Sequence, residues 1–201
     1  MNFISLECST KNPSVSIFLN NKHTCIHQII KSTSSDLPIC VDQILKKNSI
    51  MINDINYIAT TIGPGTFTGC RVGLSFSQGL AYSLDIPIVP INTIDVLNNQ
   101  ISTDIIYAVA MHSHKDFVIY KNINKEDESS IELAQIRKLK NQNVFGIGLE
   151  NFSADFSYQP LKLTSLEVGE YAIENYERLV ESHISTIKPI YLNEYRKTDS
   201  V

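Results

Sequence analysis

The chain lacks several features that would assign a protein to a class at once. It has no Trp, four Cys and a net charge of −4 over 201 residues. No apolar run approaches the roughly 18 residues of a membrane span. The N-terminus, MNFISLECST, has no basic segment and carries Glu7 early, so we expect neither a membrane anchor nor a secretory signal. The weak negative charge argues against a chain that grips nucleic acid by itself, because such proteins carry a basic patch.

The cysteines show no pairing pattern. Cys8, Cys25, Cys40 and Cys70 include no C-x-x-C motif, and without an export signal they indicate reduced thiols in the cytoplasm. Hydrophobic residues make up 43% of the chain and charged residues 19%. This balance excludes a disordered chain and provides for a sizeable core.

Hydrophobic periodicity predicts a chain that mixes strands and helices. Strands are predicted at about 3–7, 15–19, 24–30, 55–62, 86–91, 105–111, 117–123, 144–148 and 189–192. Helices are predicted at about 36–47, 68–84, 93–100 and 166–180, with a short helix or mixed segment at 131–140. Turns between the first three strands predict an antiparallel meander. Because both halves mix strands and helices, we expect an α/β fold of two lobes, 1–103 and 104–201.

Five of the eight glycines lie between Gly63 and Gly79, where GPGTFTGCRVG joins an apolar strand to a helix. A helix N-terminus after glycines presents free N–H groups and a positive dipole end to an anion. The candidate phosphate-binding residues are Glu7, at the end of the first strand, with Gly63, Gly65 and Thr66. No Lys follows the last glycine, so the loop is not a Walker A motif. The alternative is a tight strand-to-helix turn without a ligand.

The helix after this loop is apolar or small over more than half of its circumference, which is more than one sheet face requires. Gly69, Gly73 and Ser77 are four residues apart and leave room for a close neighbour. Either this surface and helix 36–47 dock a second subunit, or the two helices pack on each other and on the sheet. The candidate interface residues are Leu37, Val41, Ile44, Leu45, Gly69, Cys70, Arg71, Gly73, Leu74, Ser77 and Ala81.

The sequence contains no convincing catalytic or metal-binding set. His23 and His27 lie in a predicted strand, where four residues separate them by about 13 Å, too far to share one ion. His112 and His114 have no third ligand nearby. Cys70, near a helix N-terminus, has no paired base, and one carboxylate at Glu7 does not make acid–base chemistry. We therefore expect no catalytic residue, no metal and no cofactor.

Two stretches resemble the TsaB (YeaZ) family. The first is ISLECST at residues 4–10 followed by SVSI at 14–17, and the second is GPGTFTGCRVG followed by QGLA at 78–81. The second stretch matches the family signature G-P-G-S/T-F-T-G-x-R-x-G. The similarity covers about residues 1–100, with weaker similarity at Val144–Leu149 and Pro189–Leu192.

The resemblance implies an actin/Hsp70-like (ASKHA) fold of two lobes, with mixed sheets flanked by helices. It implies a cytoplasmic, non-catalytic subunit in the threonylcarbamoyl modification of the adenosine beside the tRNA anticodon. In that family the partner TsaD carries the metal and the chemistry, TsaE supplies an ATPase, and tRNA is met only through the complex. When the chain is alone, a monomer and a homodimer that reuses the same helix surface are the two alternatives. The family's old glycoprotease label is disfavoured.

The chain departs from the family pattern at several positions. Glu7 stands where the family usually has Asp, and Cys8 where it has Thr. The His that usually precedes the first helix is missing, and Met111–Lys115 replaces a segment that often contains Asp-Ala-Arg. The second lobe is expected to be shortened. The alternative function is an ASKHA nucleotide-binding enzyme that acts independently through Glu7 and the glycine loop.

Overall fold

The computed structural model describes residues 1–20, 22–29, 33–124, 127–152 and 155–192, with the backbone alone for 22–29, 33–34 and 127–128. The strands are β1 Phe3–Glu7, β2 Ser14–Leu19, β3 Lys22–Ile29, β4 Tyr57–Gly63, β5 Ile88–Asn92, β6 Tyr107–His112, β7 Phe117–Asn124, β8 Asp127–Glu128, β9 Glu132–Gln135, β10 Asn143–Ile147 and β11 Ser157–Pro160. The helices are α1 Thr33–Lys47, α2 Phe67–Leu84, α3 Thr93–Asn99 and α4 Ser165–Leu179. Short 3-10 turns lie at Ile52–Asp54, Ile136–Leu139, Glu150–Phe152 and Ile184–Thr186.

The first sheet has the strand order β3-β2-β1-β4-β5. Strands β1, β2 and β3 pair antiparallel, which confirms the predicted meander, whereas β4 and β5 join β1 in parallel. All five residues of β1 are buried. A central strand buried on both faces requires helices on both faces of its sheet.

Alternate residues of β1 point to different helices. Ile4 and Leu6 belong to the apolar cluster that includes Leu74 of α2 and much of α1. On the opposite face, the Phe3 ring stacks on Phe18 at 4.5 Å and on Tyr57 at 4.3 Å between ring centroids. The period of two along the strand thus fills two separate layers of core.

Helix α4 covers this second face through a buried seam of serine hydroxyls. The Ser165 N–H donates to Ser14 Oγ at 2.8 Å, and the Ser5 hydroxyl donates to the Ser165 carbonyl at 2.7 Å. The hydroxyls of Ser16 and Ser165 are 2.7 Å apart. One turn later, a side chain on Gly169 would collide with the Phe18 ring, so the glycine lets the helix lie close to the sheet.

These contacts correct the predicted lobes 1–103 and 104–201. The first compact unit contains Met1–Val96 together with Leu163–Ile190, and the second contains Leu97–Lys162. Helix α4 belongs to the first unit because its serine seam and glycine bind β1 and β2. The tail after α4 also belongs there, since the Gln78 side-chain amide donates to the Ile184 and Ile187 carbonyls at 2.8 and 3.2 Å.

The second unit is built on a sheet in the order β11-β10-β6-β7-β8, with β9 also paired to β7. Strands β11, β10 and β6 are parallel, and β6 and β7 are antiparallel. Its core includes Ala108, Val118, Leu139 and Val144. Both sheets are therefore mixed, as the fold class predicts.

The segment 131–140 is a strand followed by a 3-10 turn, in agreement with the mixed segment that was one of its two predicted states. Strand β11 was not predicted from the sequence. The predicted edge strand at 189–192 is not a strand, although the Ile190 N–H donates to the Ile62 carbonyl at 2.8 Å. Among the described residues, no helix is both long enough and apolar enough to cross a bilayer.

Candidate functional site

The glycine loop leaves β4 by a sharp turn. Gly63 has a φ of 101°, a backbone conformation that favours glycine, and the bond from Gly63 to Pro64 is cis. A Cβ at Gly63 would lie 2.8 Å from the Ile190 carbonyl oxygen. The tail of the first unit thus packs directly on the glycine that starts the loop.

The next three glycines lie against the turn that follows β1. A Cβ on Gly65 or on Gly69 would collide with the backbone carbonyl of Ser9 or of Cys8. A Cβ on Gly73 would lie 2.7 Å from Cys8 Cβ and 3.0 Å from its sulfur. The glycines therefore let helix α2 lie on the end of β1 in the same chain.

Glu7 organises that turn from the inside. Its Oε1 accepts hydrogen bonds from the Ser9 N–H at 2.6 Å, the Ser9 hydroxyl at 2.5 Å and the Thr10 N–H at 3.1 Å. Its Oε2 accepts from the Thr10 hydroxyl at 2.7 Å. Complete burial raises the pKa of the Glu7 carboxyl above its ordinary value, and the hydrogen bonds from Ser9 and Thr10 oppose this shift without cancelling it.

Of the four candidate phosphate residues, three come together around one turn. Glu7 binds Ser9 and Thr10, Gly65 contacts Ser9, and the Thr66 N–H donates to the Ser9 carbonyl at 2.7 Å. Gly63 contacts Ile190 instead. The Thr66 N–H at the start of α2 is thus already used by the chain's own Ser9 carbonyl, in a turn that the buried carboxyl also binds. This arrangement favours the strand-to-helix turn over the phosphate cradle.

The predicted interface residues do not face outward, with one exception. Ten of them are buried within the first unit, namely Leu37, Val41, Ile44, Leu45, Gly69, Cys70, Gly73, Leu74, Ser77 and Ala81, and only Arg71 is exposed. The sequence-based interface set is therefore corrected. These residues pack α1 and α2 on each other and on the sheet, because β1 and its turn approach the small face of α2.

Of the exposed side of α2, the sequence-based interface set contains only Arg71. We define the outer face of α2 as Phe67, Arg71, Ser75, Gly79 and Tyr82, all of them exposed. The Phe67 side chain is 56% exposed and Tyr82 is 82% exposed, and a Cβ on Gly79 would meet nothing within 4 Å. The Arg71 guanidinium lies 3.7 Å above the Phe67 ring centroid. Large exposed apolar side chains on one helix are the signal that could have identified this face.

Helix α1 also exposes a large apolar side chain, that of Ile39, which is 55% exposed. Helices α1 and α2 contact each other. Their outward sides therefore carry Ile39, Phe67 and Tyr82, three of the seven large hydrophobic residues exposed among those described.

The Cys70 thiol and the His112 and His114 rings pack against other side chains of the protein. Burial raises the pKa of the Cys70 thiol to about 12, so it stays protonated at neutral pH despite its position near the start of α2. The His112 and His114 rings stack on Phe152 and Phe117, with centroids 5.3 and 5.2 Å apart. Over the described ranges, no three His, Cys, Asp or Glu residues are placed to share a metal ion.

His23 and His27 both lie in β3, as predicted. Their side chains fall outside the described part of the structure.

Comparison with known proteins gives a coherent set of relatives. The profile of the TsaD family, tRNA N6-adenosine threonylcarbamoyltransferase, matches residues 27–165. The Haemophilus influenzae tRNA threonylcarbamoyladenosine biosynthesis protein TsaB is 27% identical over 223 aligned positions, which cover 96% of this chain and 93% of that protein. The Clostridioides difficile tRNA N6-adenosine threonylcarbamoyltransferase is 45% identical over 60 residues, 30% of this chain and 18% of that enzyme.

Solved structures show the same architecture. YeaZ from Pseudomonas aeruginosa superposes with a TM-score of 0.75 at 18% identity, over 95% of this chain and all of that one. A second solved structure, described by its similarity to YeaZ, gives a TM-score of 0.76 at 18% identity, over 96% and 99% of the two chains. Together with the family profile, these matches confirm the predicted actin/Hsp70-like fold with mixed sheets flanked by helices.

Proposed function

The chain belongs to the family of the tRNA N6-adenosine threonylcarbamoyltransferases, on its TsaB (YeaZ) branch, and from this premise we propose that it works as a partner subunit. Its role is in the biosynthesis of threonylcarbamoyladenosine in tRNA. We assign the group transfer itself to a TsaD-type partner and none of it to this chain.

The contacts of the glycine loop carry this proposal. In this chain the loop and the buried carboxyl both serve the Cys8–Thr10 turn. Gly65, Gly69 and Gly73 accommodate Cys8 and Ser9, the Thr66 N–H is used by Ser9, and the Glu7 oxygens are used by Ser9 and Thr10. An enzyme that held a nucleotide phosphate here would need those N–H groups for its ligand.

The proposed docking surface for TsaD is the outer face of α2 together with Ile39 of α1. This chain shares sequence with TsaD-type enzymes, reaching 45% identity over 60 residues in one case. Related chains present related surfaces, which suits a pairing in which each contributes the same patch. Phe67, Tyr82 and Ile39 supply the exposed apolar and aromatic area that typifies the centre of interfaces.

When TsaD is absent, we propose that two copies of this chain form a homodimer through the same surface. A TsaE-type ATPase joins only the larger complex, and tRNA is modified only by that complex. The buried free thiols of Cys8, Cys40 and Cys70 suit a reducing compartment, which supports a cytoplasmic location.

The experiment is co-purification of this chain with the TsaD-type protein of the same organism. The double variant Phe67→Asp/Tyr82→Asp places two charges on the outer face of α2 and is expected to lower recovery of the complex at least tenfold. Both side chains are exposed, so the variant keeps its thermal unfolding temperature. Met51→Asp is the matched control, since Met51 is 68% exposed elsewhere in the first unit. Equal recovery of wild type and double variant would contradict the proposed surface.

Isothermal calorimetry separates this proposal from the independent nucleotide-binding enzyme. Titration of the isolated chain with ATP or ADP and Mg²⁺ is expected to release no binding heat at millimolar ligand, because the turn after β1 occupies the loop. Saturable binding heat with ATP or ADP would support the enzyme instead.

A further inference from the structure

The segment Leu97–Lys162 of the second unit is joined to the first unit at both of its ends. Helix α3 forms the first connection, because it begins in the first unit at Thr93 and ends in the second unit at Asn99. The second connection lies between Lys162 and Leu163, just before α4. Both connections are therefore short, and each lies at a helix.

A single side chain bridges these two connections. The Gln100 side-chain N–H donates to the Lys162 carbonyl at 2.8 Å, and the Lys162 backbone N–H donates to Gln100 Oε1 at 3.3 Å. One carboxamide thus acts as donor and as acceptor for the backbone of one residue. Gln100 directly follows α3, and Lys162 directly precedes the second connection. The pair therefore ties the end of the first connection to the start of the second.

Other contacts hold each connection separately. The Tyr107 hydroxyl donates to Asn98 Oδ1 at 3.0 Å, which joins the last turn of α3 to the start of β6. At the second connection, the N–H and the hydroxyl of Thr164 donate to Glu167 Oε2 at 2.8 and 2.6 Å, in a capping box that starts α4. These contacts stiffen one connection or the other, whereas the Gln100 pair joins the two.

We propose that the Gln100 carboxamide is a latch. Closed, it holds the two connections together, and open, it lets the second unit move on two independent connections. Gln100 and Lys162 are both exposed, so water competes for the two hydrogen bonds, and the latch opens more readily than the buried contacts around it. Residues 102–106, shortly after Gln100, are exposed as well. The latch is a property of this chain alone and does not rest on the proposed function.

Amide hydrogen exchange of the full chain, read by nuclear magnetic resonance, tests the latch locally. In Gln100→Ala the Lys162 amide loses its acceptor and is expected to exchange at least threefold faster than in wild type. The Leu161 amide, which donates to the Gly146 carbonyl at 2.7 Å, is expected to keep its rate. Gln159→Ala, at another exposed glutamine of the second unit, leaves both rates unchanged. An unchanged rate at Lys162, or equal acceleration at Leu161, would overturn the proposal.

The variant Gln100→Glu tests the two-way hydrogen bonding with a side chain of the same shape. At neutral pH its carboxylate has no donor for the Lys162 carbonyl, so the Lys162 amide is expected to exchange faster than in wild type. Near pH 4 the carboxyl takes up a proton, since its ordinary pKa is about 4.3, and regains a donor. The Lys162 rate, taken relative to Leu161, is then expected to return toward the wild-type ratio. A ratio that does not recover would contradict the latch.

Pulsed electron paramagnetic resonance tests whether the latch restrains the second unit. Spin labels are placed at Met51→Cys in the first unit and at Lys140→Cys in the second, both at exposed positions, in a Cys25→Ser background. The distribution of distances between the labels is expected to broaden in Gln100→Ala and to keep its width in Gln159→Ala. An unchanged width in Gln100→Ala would identify a surface hydrogen bond only and would overturn the proposal, even with faster local exchange.

Discussion

Glu7 illustrates how one buried side chain decides between two functions for the same loop. Its carboxyl accepts four hydrogen bonds from Ser9 and Thr10 and is completely buried. These hydrogen bonds take the place of those that an acidic residue at the end of β1 would make in a nucleotide-binding site. The sequence identified Glu7 only as a candidate phosphate-binding residue, and its partners two and three residues later could be seen only in the structure.

The raised pKa of Glu7 predicts a specific dependence of stability on pH. The folded chain keeps the proton over a pH range in which the unfolded chain, with the ordinary value of 4.5, has lost it. The stabilisation is fully present below pH 4.5 and is lost as the pH rises through the folded-state pKa. Urea unfolding at several pH values is expected to show this loss in wild type and not in Glu7→Gln. A wild-type-minus-variant difference that grows with pH would contradict the raised pKa.

Gly73 and Gly79 form a matched pair of glycines in α2. A Cβ on Gly73 would lie 2.7 Å from Cys8 Cβ, while one on Gly79 would meet nothing within 4 Å. Gly73→Ala is therefore expected to lower the free energy of unfolding by about 1 to 3 kcal/mol through overpacking. Gly79→Ala is expected to raise it by about 1 kcal/mol, because alanine favours a helix. Urea unfolding measures both, and equal effects of one sign would show that the close approach of α2 to Cys8 is wrong.

Thiol labelling tests the burial of the cysteines. Cys8, Cys40 and Cys70 are buried and free, and burial raises the pKa of Cys8 and of Cys70. In a Cys25→Ser background, these three thiols are expected to resist a thiol reagent in the folded chain and to react fully in denaturant. Fast reaction of Cys70 in the native protein would contradict its burial and would indicate a thiol activated by its position at the start of α2.

At the scale of elements, the sequence predicted α2 well but left two alternatives for its neighbours, a second subunit or helix α1 and the sheet of the same chain, of which the structure shows the second. Its start and end follow from the glycine loop and from the apolar period. The small and apolar residues cover so much of the helix that they predicted a second buried contact, besides the sheet. They could not identify this contact as the turn after β1, because that turn is distant in sequence and its position depends on the parallel pairing of β1 with β4.

The same limit explains the assignment of α4. The helical period of 166–180 predicted the element, but nothing in that period identifies the sheet on which it lies. The contacts of Ser165 and Gly169 with β1 and β2 identify that sheet. Strand β11 escaped prediction because three of the four residues of SYQP are Ser, Gln and Pro, which leaves no hydrophobic alternation to recognise at this sheet edge.

At the scale of the whole molecule, the two units predict how fragments behave. A fragment of residues 1–103 corresponds to the lobe expected from the sequence but lacks α4. In this fragment the rings of Phe3, Phe18 and Tyr57, which α4 covers in the whole chain, are exposed to solvent. We expect this fragment to bind a hydrophobic dye and to lack a cooperative thermal transition, whereas the intact chain unfolds cooperatively. Adding back residues 163–192 through a flexible linker is expected to restore the transition. A cooperative transition in the short fragment alone would contradict the described first unit.

The net negative charge argues against a chain that binds nucleic acid by itself, and it fits a subunit whose partner binds the tRNA. A net charge of −4 leaves this chain without a broad basic footprint, and its exposed apolar and aromatic residues on α1 and α2 suit a protein partner.

We propose that this chain enables tRNA modification through the outer face of α2 and not through its glycine loop. The most direct measurement is formation of threonylcarbamoyladenosine in tRNA by the reconstituted complex, quantified by mass spectrometry. Wild type and Met51→Asp are expected to support modification, and Phe67→Asp/Tyr82→Asp, folded and at the same concentration, is expected to reduce it at least tenfold. Full modification with the double variant would contradict the account.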